Sequence, residues 1–261
     1  MRPTTCLCIW AAVASKPCVD MGRTVGIVVP YRDRPVHLRR FASHMVSYWR
    51  REFPCDSMWL YVIEQDDALA FRRAALCNVG IKEVLAAAHQ AHVIVDCIVF
   101  HDVDLVPDPG VPYTTCTHPT QLGSELEHFK WGVPYDASAG GIVSMRPQDW
   151  IAINGMSNNF KGWGGEDDDL HRRLQGAKLL KQGQHLHRPP PGHGRFRIIS
   201  ELLKDHPRAR KHPDYQHNLD LLSNGVDWRM DGLAATTYVV NSRTQLQGNV
   251  TLIKVAMMIT R

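Results

Sequence analysis

Two short stretches carry carboxylates at a spacing that can do chemistry. Asp102-Val103-Asp104 sets two acids at i and i+2, and Glu166-Asp167-Asp168-Asp169 sets four in a row behind Gly162-Trp163-Gly164-Gly165. Acids at i and i+2 offer hard oxygen donors, which suit Mg2+ or Mn2+. A divalent cation held there can neutralise a diphosphate and help it leave. The same pair also has a plain reading, as a strand exit solvated by two aspartates. The run of four acids is costly, because neighbouring like charges repel and a desolvated carboxylate shifts its pKa, unless a cation, a sugar hydroxyl or a helix N-terminus uses it. Glycines on both sides of Trp163 remove Cβ atoms and let the segment bend and move. Leu170, Arg172, Arg173 and Leu174 follow, so the acids also read as the first turn of a helix.

The elements that must position these groups show in the apolar pattern. Residues 25–29 form a short β-branched run ending at Pro30, and Tyr31-Arg32-Asp33-Arg34 follows as a loop. Residues 37–51 have helical spacing, with Leu38, Phe41, Met45 and Trp49 on one face. A second strand is expected over 59–63, a second helix over 71–88 and a third strand over 93–100, which runs into Asp102-Val103-Asp104. Alternating helices and continuous apolar strands predict an α/β domain with a mostly parallel, Rossmann-like sheet flanked by helices. Ligands of such sheets bind beyond the carboxyl ends of strands. Residues 31–34, 64–67 and 101–104 would all lie on that edge. Further on, 140–145 reads as a strand, the acidic cluster opens a helix ending near Gly176, a helix is expected over 215–222, and 238–240 reads as a late strand.

With 261 residues, 44% hydrophobic and 21% charged, the composition is that of an ordinary globular chain. A net charge of +4 with scattered basic residues argues against nucleic acid as a partner. No apolar run reaches the roughly 18 residues needed to span a bilayer. Residues 6–14 after Arg2 read either as a short signal peptide or as a buried strand or remnant of a longer segment. The seven cysteines make no zinc pattern, and Asn249-Val250-Thr251 is an N-glycosylation sequon, informative only in a secreted chain.

Ordered motifs through most of the chain resemble the β-1,4-galactosyltransferases, metal-dependent inverting enzymes of the secretory pathway. Pro30-Tyr31-Arg32-Asp33-Arg34 resembles the family's nucleotide loop, and Phe71-Arg72-Arg73-Ala74 its F-N-R-A, with Arg72 in place of Asn. Asp102-Val103-Asp104-Leu105-Val106-Pro107, Gly140-Gly141, Asn154-Gly155, Asn158-Asn159-Phe160, the stretch from Gly162 to Asp169, and Asp231-Gly232-Leu233 with Tyr238 follow at near-family spacing. The resemblance implies one GT-A-like catalytic domain over 18–261, with a nucleotide-binding part at about 22–107 and an acceptor-binding part at about 130–243. Residues 1–17 then form the signal-like or remnant segment. It further implies that Pro30, Tyr31, Arg32, Arg34, Phe71 and Arg73 contact a uridine nucleotide and that Asp104 binds Mn2+. Asp102 and Val103 would lie by the donor sugar, Trp163 on a loop that closes over it, and Asp167 would be the catalytic base. Tyr135, Glu166 and Asp168 would hold the acceptor sugar. The implied partners are a UDP-sugar donor and a glycan or glycoconjugate acceptor. The implied location is the secretory-pathway lumen, in the Golgi or as a secreted or truncated form.

Departures from the family bear on substrate. Ser138 stands where the family places a tyrosine beside the donor sugar's C2, which leaves room for an N-acetyl group and makes UDP-GalNAc an alternative to UDP-galactose. The second metal ligand is Glu201 in ungapped register, or His206 if a few residues are inserted; imidazole suits Mn2+ and favours His206. If neither binds, a weakly active or inactive sugar-binding homologue results. Lys161 replaces a frequent tryptophan, and the segment around Asn218 lacks the Arg-Phe pair of an N-acetyl pocket. His101 and Ala74-Ala75-Leu76 resemble the xylose-directed branch, whereas Gly165 and Asp169 resemble the GlcNAc-directed one. Cys97 and Cys116 stand at the family's disulfide spacing, the alternative being two buried free thiols.

Overall fold

The first strand, β1 (Thr24–Tyr31), is buried along its whole length, as a continuous apolar run between two layers of helix must be. The computed structural model describes residues 22–199, 213–225 and 227–258. β1 pairs in parallel with β2 (Ser57–Gln65) on one side and β3 (Cys97–His101) on the other. Helix α1 (Pro35–Glu52) connects β1 to β2, starting with proline in its first turn, where a missing N–H costs nothing. Helix α2 (Arg73–Ala91) connects β2 to β3 and ends at His92 in the left-handed conformation.

The two helices cover opposite faces. Val25, Ile27 and Val29 pack with Leu38, Phe41 and Met45 of α1, whereas Val28 packs with Leu76, Val79 and Val84 of α2. Strand side chains alternate between faces, so β1 contributes to both cores. β4 (Leu105–Pro107), β6 (Glu125–Leu126) and β8 (Arg195–Ile198) form a second, three-stranded sheet. The main sheet also takes in β5 (Thr120–Gln121), β7 (Ile142–Met145), β9 (Tyr238–Gln245) and β10 (Val250–Met257), in the order β5-β7-β3-β1-β2-β10-β9. The four central strands β3, β1, β2 and β10 are parallel, and the outer pairings, β10 with β9, β3 with β7 and β7 with β5, are antiparallel. The expected mostly parallel α/β sheet is what the chain forms.

Two elements differ from expectation. The third strand begins at Cys97 rather than 93, because β1 begins at Thr24 and its first partner in β3 is Cys97, paired with Val25. Just upstream, Asp96 still exchanges hydrogen bonds with Thr24 at the start of β1, whereas Val93 and Ile94 are exposed. The C-terminal hairpin is far longer than residues 238–240, and its second strand, β10, lies beside β2. Helices α3 (Pro147–Ala152), α4 (Glu166–Gly176) and α5 (Tyr215–Asn224) complete the described elements, with α4 and α5 within two residues of the expected bounds.

Candidate active site

The carboxyl ends of β1, β2 and β3 bring residues 31–34, 65–73 and 101–104 to one edge of the sheet. Tyr31 is buried, its ring in the core, and its hydroxyl accepts the Arg34 backbone N–H at 2.9 Å. That bond shapes the loop and sends the Arg34 guanidinium to Asp104, 3.3 Å away. Gln65, buried at the end of β2, donates to Asp67 and the Ala70 carbonyl and accepts the Arg72 N–H. The loop before α2 is thereby fixed, with Phe71 half-buried and the Arg32 guanidinium over its ring at 5.4 Å. The Nε of Arg32 is buried and has no hydrogen-bond partner among the described residues.

Arg73 opens α2 and joins the two acidic stretches. Its guanidinium lies over the Phe100 ring at 4.2 Å, donates to Asp102 Oδ1 at 2.7 and 2.9 Å, and reaches Glu166 at 3.3 Å. Around this cation Glu166 is buried, and Asp102 and Asp167 are partly withdrawn from water. Burial pushes Asp102 up to about 6, with Arg73 pulling it down and Asp104 adding repulsion. Burial and then the Asp167 charge push Glu166 up to about 7, against Arg73. Burial also raises Asp167, again opposed by Arg73. Three neighbouring acids with raised pKa values around one half-buried cation are the kind of cluster that functional sites carry.

Asp167 is placed by two glycine features. Gly165 caps α4 with φ +91°, a conformation that turns the Trp163 loop into the helix. Gly140 lies against the carboxylate: a Cβ there would sit 2.2 Å from Asp167 Oδ2. Tyr135 donates to Asp168 Oδ1 at 2.8 Å, joining the loop before β7 to the acidic cluster. Ser138 is buried in that loop, its Oγ 3.5 Å from the Gln121 amide. Trp163 is half-exposed. Its loop is anchored by the Gly162 N–H on the Phe71 carbonyl at 2.7 Å and by Asn218 of α5, which donates to the carbonyls of Lys161 and Trp163.

Other motif residues hold the frame. Asp231 accepts Ser157 Oγ and the Asn158 N–H and pairs with the buried Arg173, which also pairs with Asp169. Gly232 lies against the Asn154 carbonyl, where a Cβ would come within 1.9 Å. Tyr238 donates to Glu83 at 2.8 Å. His101 is buried between the Asp102 carbonyl and the Tyr113 hydroxyl, and burial lowers it to about 4. Pro30 and Val103 are buried as well, leaving mainly backbone at the edge. A disulfide joins Cys97 and Cys116, and Cys55 is also disulfide-bonded. Glu201 and His206 lie outside the described residues, among which no group of three metal-binding side chains gathers.

The chain matches two family models, described as the N-terminal region of glycosyl transferase group 7, over residues 11–117, and the N-terminal domain of galactosyltransferase, over residues 120–201. It is 33% identical to beta-1,4-galactosyltransferase 1 of Mus musculus over 227 residues, 86% of this chain and 52% of that protein. With beta-1,4-galactosyltransferase 3 of Bos taurus it shares 31% identity over 229 residues, 87% of this chain and 53% of the relative. It belongs to the β-1,4-galactosyltransferase family. The chain spans about half the length of these curated relatives.

Among solved structures, a mutant of Drosophila β-1,4-galactosyltransferase 7 in complex with manganese, UDP-Gal and xylobiose superposes with a TM-score of 0.71 at 27% identity. The match covers 91% of this chain and 95% of that one. A second structure of that enzyme's catalytic domain, with xylobiose, matches at 0.71 and 26% identity over the same shares. In this β-1,4-galactosyltransferase-family chain, sequence reasoning put Gln65 on the site edge but gave it no role, and missed Gly140 as the neighbour of Asp167 and Asn218 as an anchor. Only the polar strand exit signalled Gln65. Nothing local signalled the other two contacts, which join segments distant in sequence.

Proposed function

We propose that this chain transfers galactose from UDP-galactose to a hydroxyl of a terminal xylose, glucose or N-acetylglucosamine of a glycan, forming a β-1,4 linkage with inversion. The observation that carries the reading is the Arg73 bridge between Asp102 and Glu166, with Asp167 packed beside it against Gly140. In this reading Asp167 takes the proton from the acceptor hydroxyl as that oxygen attacks C1 opposite the departing UDP. Its carboxylate is a stronger base for being buried. Tyr135, Glu166 and Asp168 hold acceptor hydroxyls, and the Trp163 loop covers the donor and excludes water. Arg32, Arg34 and Phe71 receive the nucleotide, and the buried, unpartnered Nε of Arg32 supports this. Pro30, Tyr31 and Val103 shape the backbone around it, and Asp102 lies by the sugar. The nucleotide-binding part occupies about 22–107 and the acceptor part about 130–243 of the catalytic domain.

The cofactor of this reading is Mn2+. The carboxylate oxygens of Asp104 at the edge of the sheet are donors of the type Mn2+ accepts. Asp104 would hold the ion, with His206 or Glu201 as second ligand, and the ion would offset charge on the diphosphate. Similarity to the Drosophila complex, which contains manganese, UDP-Gal and xylobiose, supports this donor, this cofactor and a xylose acceptor. The disulfides support residence in an oxidising secretory lumen such as the Golgi. No described helix is long and apolar enough to cross a membrane. The small side chain of Ser138 supports a second reading, with UDP-GalNAc as donor.

A screen of radiolabelled UDP-galactose and UDP-GalNAc with Mn2+ against xyloside, glucoside and N-acetylglucosaminide acceptors tests these readings. Transfer of galactose with a chelator-sensitive rate is expected. Preferential transfer of GalNAc would favour the second reading. Binding of UDP without transfer from either donor would sink the enzyme reading and leave a sugar-binding homologue.

A further inference from the structure

We propose that Asn249 is an N-glycosylation site, its glycan standing at the end of the main sheet away from the candidate active site. Asn249-Val250-Thr251 is the one Asn-x-Ser/Thr triplet in the chain. The structure gives it a place suited to a bulky polar group. Asn249 is exposed in the turn between β9 and β10, directly after Gly248 with φ +53°. Its backbone is fixed, since its carbonyl accepts the Leu60 N–H at 3.0 Å, while the next residue, Val250, is buried. The sequon's third residue faces the partner strand, with Thr251 Oγ1 donating to Gln245 Oε1 at 3.0 Å.

The sheet register fixes the distance from the site. Val250 pairs with Leu60 and Val255 with Gln65, the residue that ends β2 at the catalytic edge. Five residues of strand separate the two, roughly 17 Å. A glycan on Asn249 therefore leaves the donor and acceptor approaches open. It stands at the tip of the hairpin whose outer strand, β9, is the mostly exposed edge of the sheet, where added bulk and hydration oppose pairing with another chain. In the reaction, Asn249 Nδ2 bonds to C1 of an oligosaccharide carried on a lipid diphosphate. The C1–O bond breaks, the lipid diphosphate leaves with its electron pair, and Nδ2 loses a proton to a base of the transferring enzyme.

The inference rests on residence in the secretory lumen, so the test separates the two. The chain is expressed in eukaryotic cells with a secretory leader placed in front, which imposes luminal residence independently of that reading. The leader-borne chain is expected to show one glycan's mobility shift, removed by peptide-N-glycosidase with conversion of Asn249 to Asp in the peptide mass. The shift should vanish in Asn249→Gln and persist in Thr251→Ser, with transfer activity of Asn249→Gln unchanged. A secreted, disulfide-bonded, leader-borne chain with unmodified Asn249 overturns the site. A glycan on the leader-borne chain supports the site, whatever directs the protein to the lumen.

Discussion

Burial opposes ionisation of Asp167, and Arg73 only partly restores it, so a base at this position is held at the expense of stability. In the proposed reaction, Asp167→Asn should lower turnover by about 10²–10⁴ while UDP-sugar binding is kept. The same variant should not lower the thermal unfolding midpoint at neutral pH, since it removes a desolvated charge. Near-normal turnover would refute the base assignment, and a loss of folding would refute the energetic one. His101 behaves in the opposite sense. Its folded-state pKa is lowered from 6.5 to about 4, so the unfolded chain takes up a proton first as pH falls. The stability held by neutral His101 is complete above 6.5 and is lost progressively down to about 4. Between pH of about 7 and about 5, wild type should lose more denaturant resistance than His101→Phe. Equal losses would show that His101 is not the titrating group. The histidine's place beside the aspartate pair was legible in the sequence, but its burial against Tyr113 was not, because the two lie on different segments.

At the scale of elements, the Trp163 loop depends on a helix about 50 residues away in sequence. Asn218, buried in α5, donates to the carbonyls of Lys161 and Trp163, and the Lys161 ammonium lies 3.6 Å from Asp214 just before that helix. The position where the sequence lacks an aromatic pocket residue thus holds an amide that fixes the loop's backbone. Asn218→Ala should raise quenching of Trp163 fluorescence and lower kcat/KM by about tenfold or more. Unchanged quenching and kinetics would show that the loop is held by other contacts. The acidic cluster opened a helix as its composition indicated, and α1, α2 and α5 followed their periodicity. β3 starts later than its apolar run predicts, and β10 has no counterpart among the expected strands, for one reason. An apolar run becomes a strand only where a neighbour offers a partner, and both neighbours come from elsewhere in the chain.

For the whole molecule, the Cys97–Cys116 bridge ties the start of β3 to the loop ahead of β5, across 19 residues. Replacing both cysteines by alanine should lower unfolding free energy by about 3 kcal/mol, measured by denaturant titration. No change would place the restraint in other contacts of that loop. The sequence by itself determined the α/β class, the sheet edge on which the site sits and the family, because strand periodicity and ordered short motifs are local properties. It did not determine that Arg73 would join Asp102 to Glu166 or that Gly140 would accommodate Asp167. Those pairs lie 29, 93 and 27 residues apart. Only the folded chain places them in contact, and only their burial together raises the carboxyl pKa values on which the proposed chemistry depends.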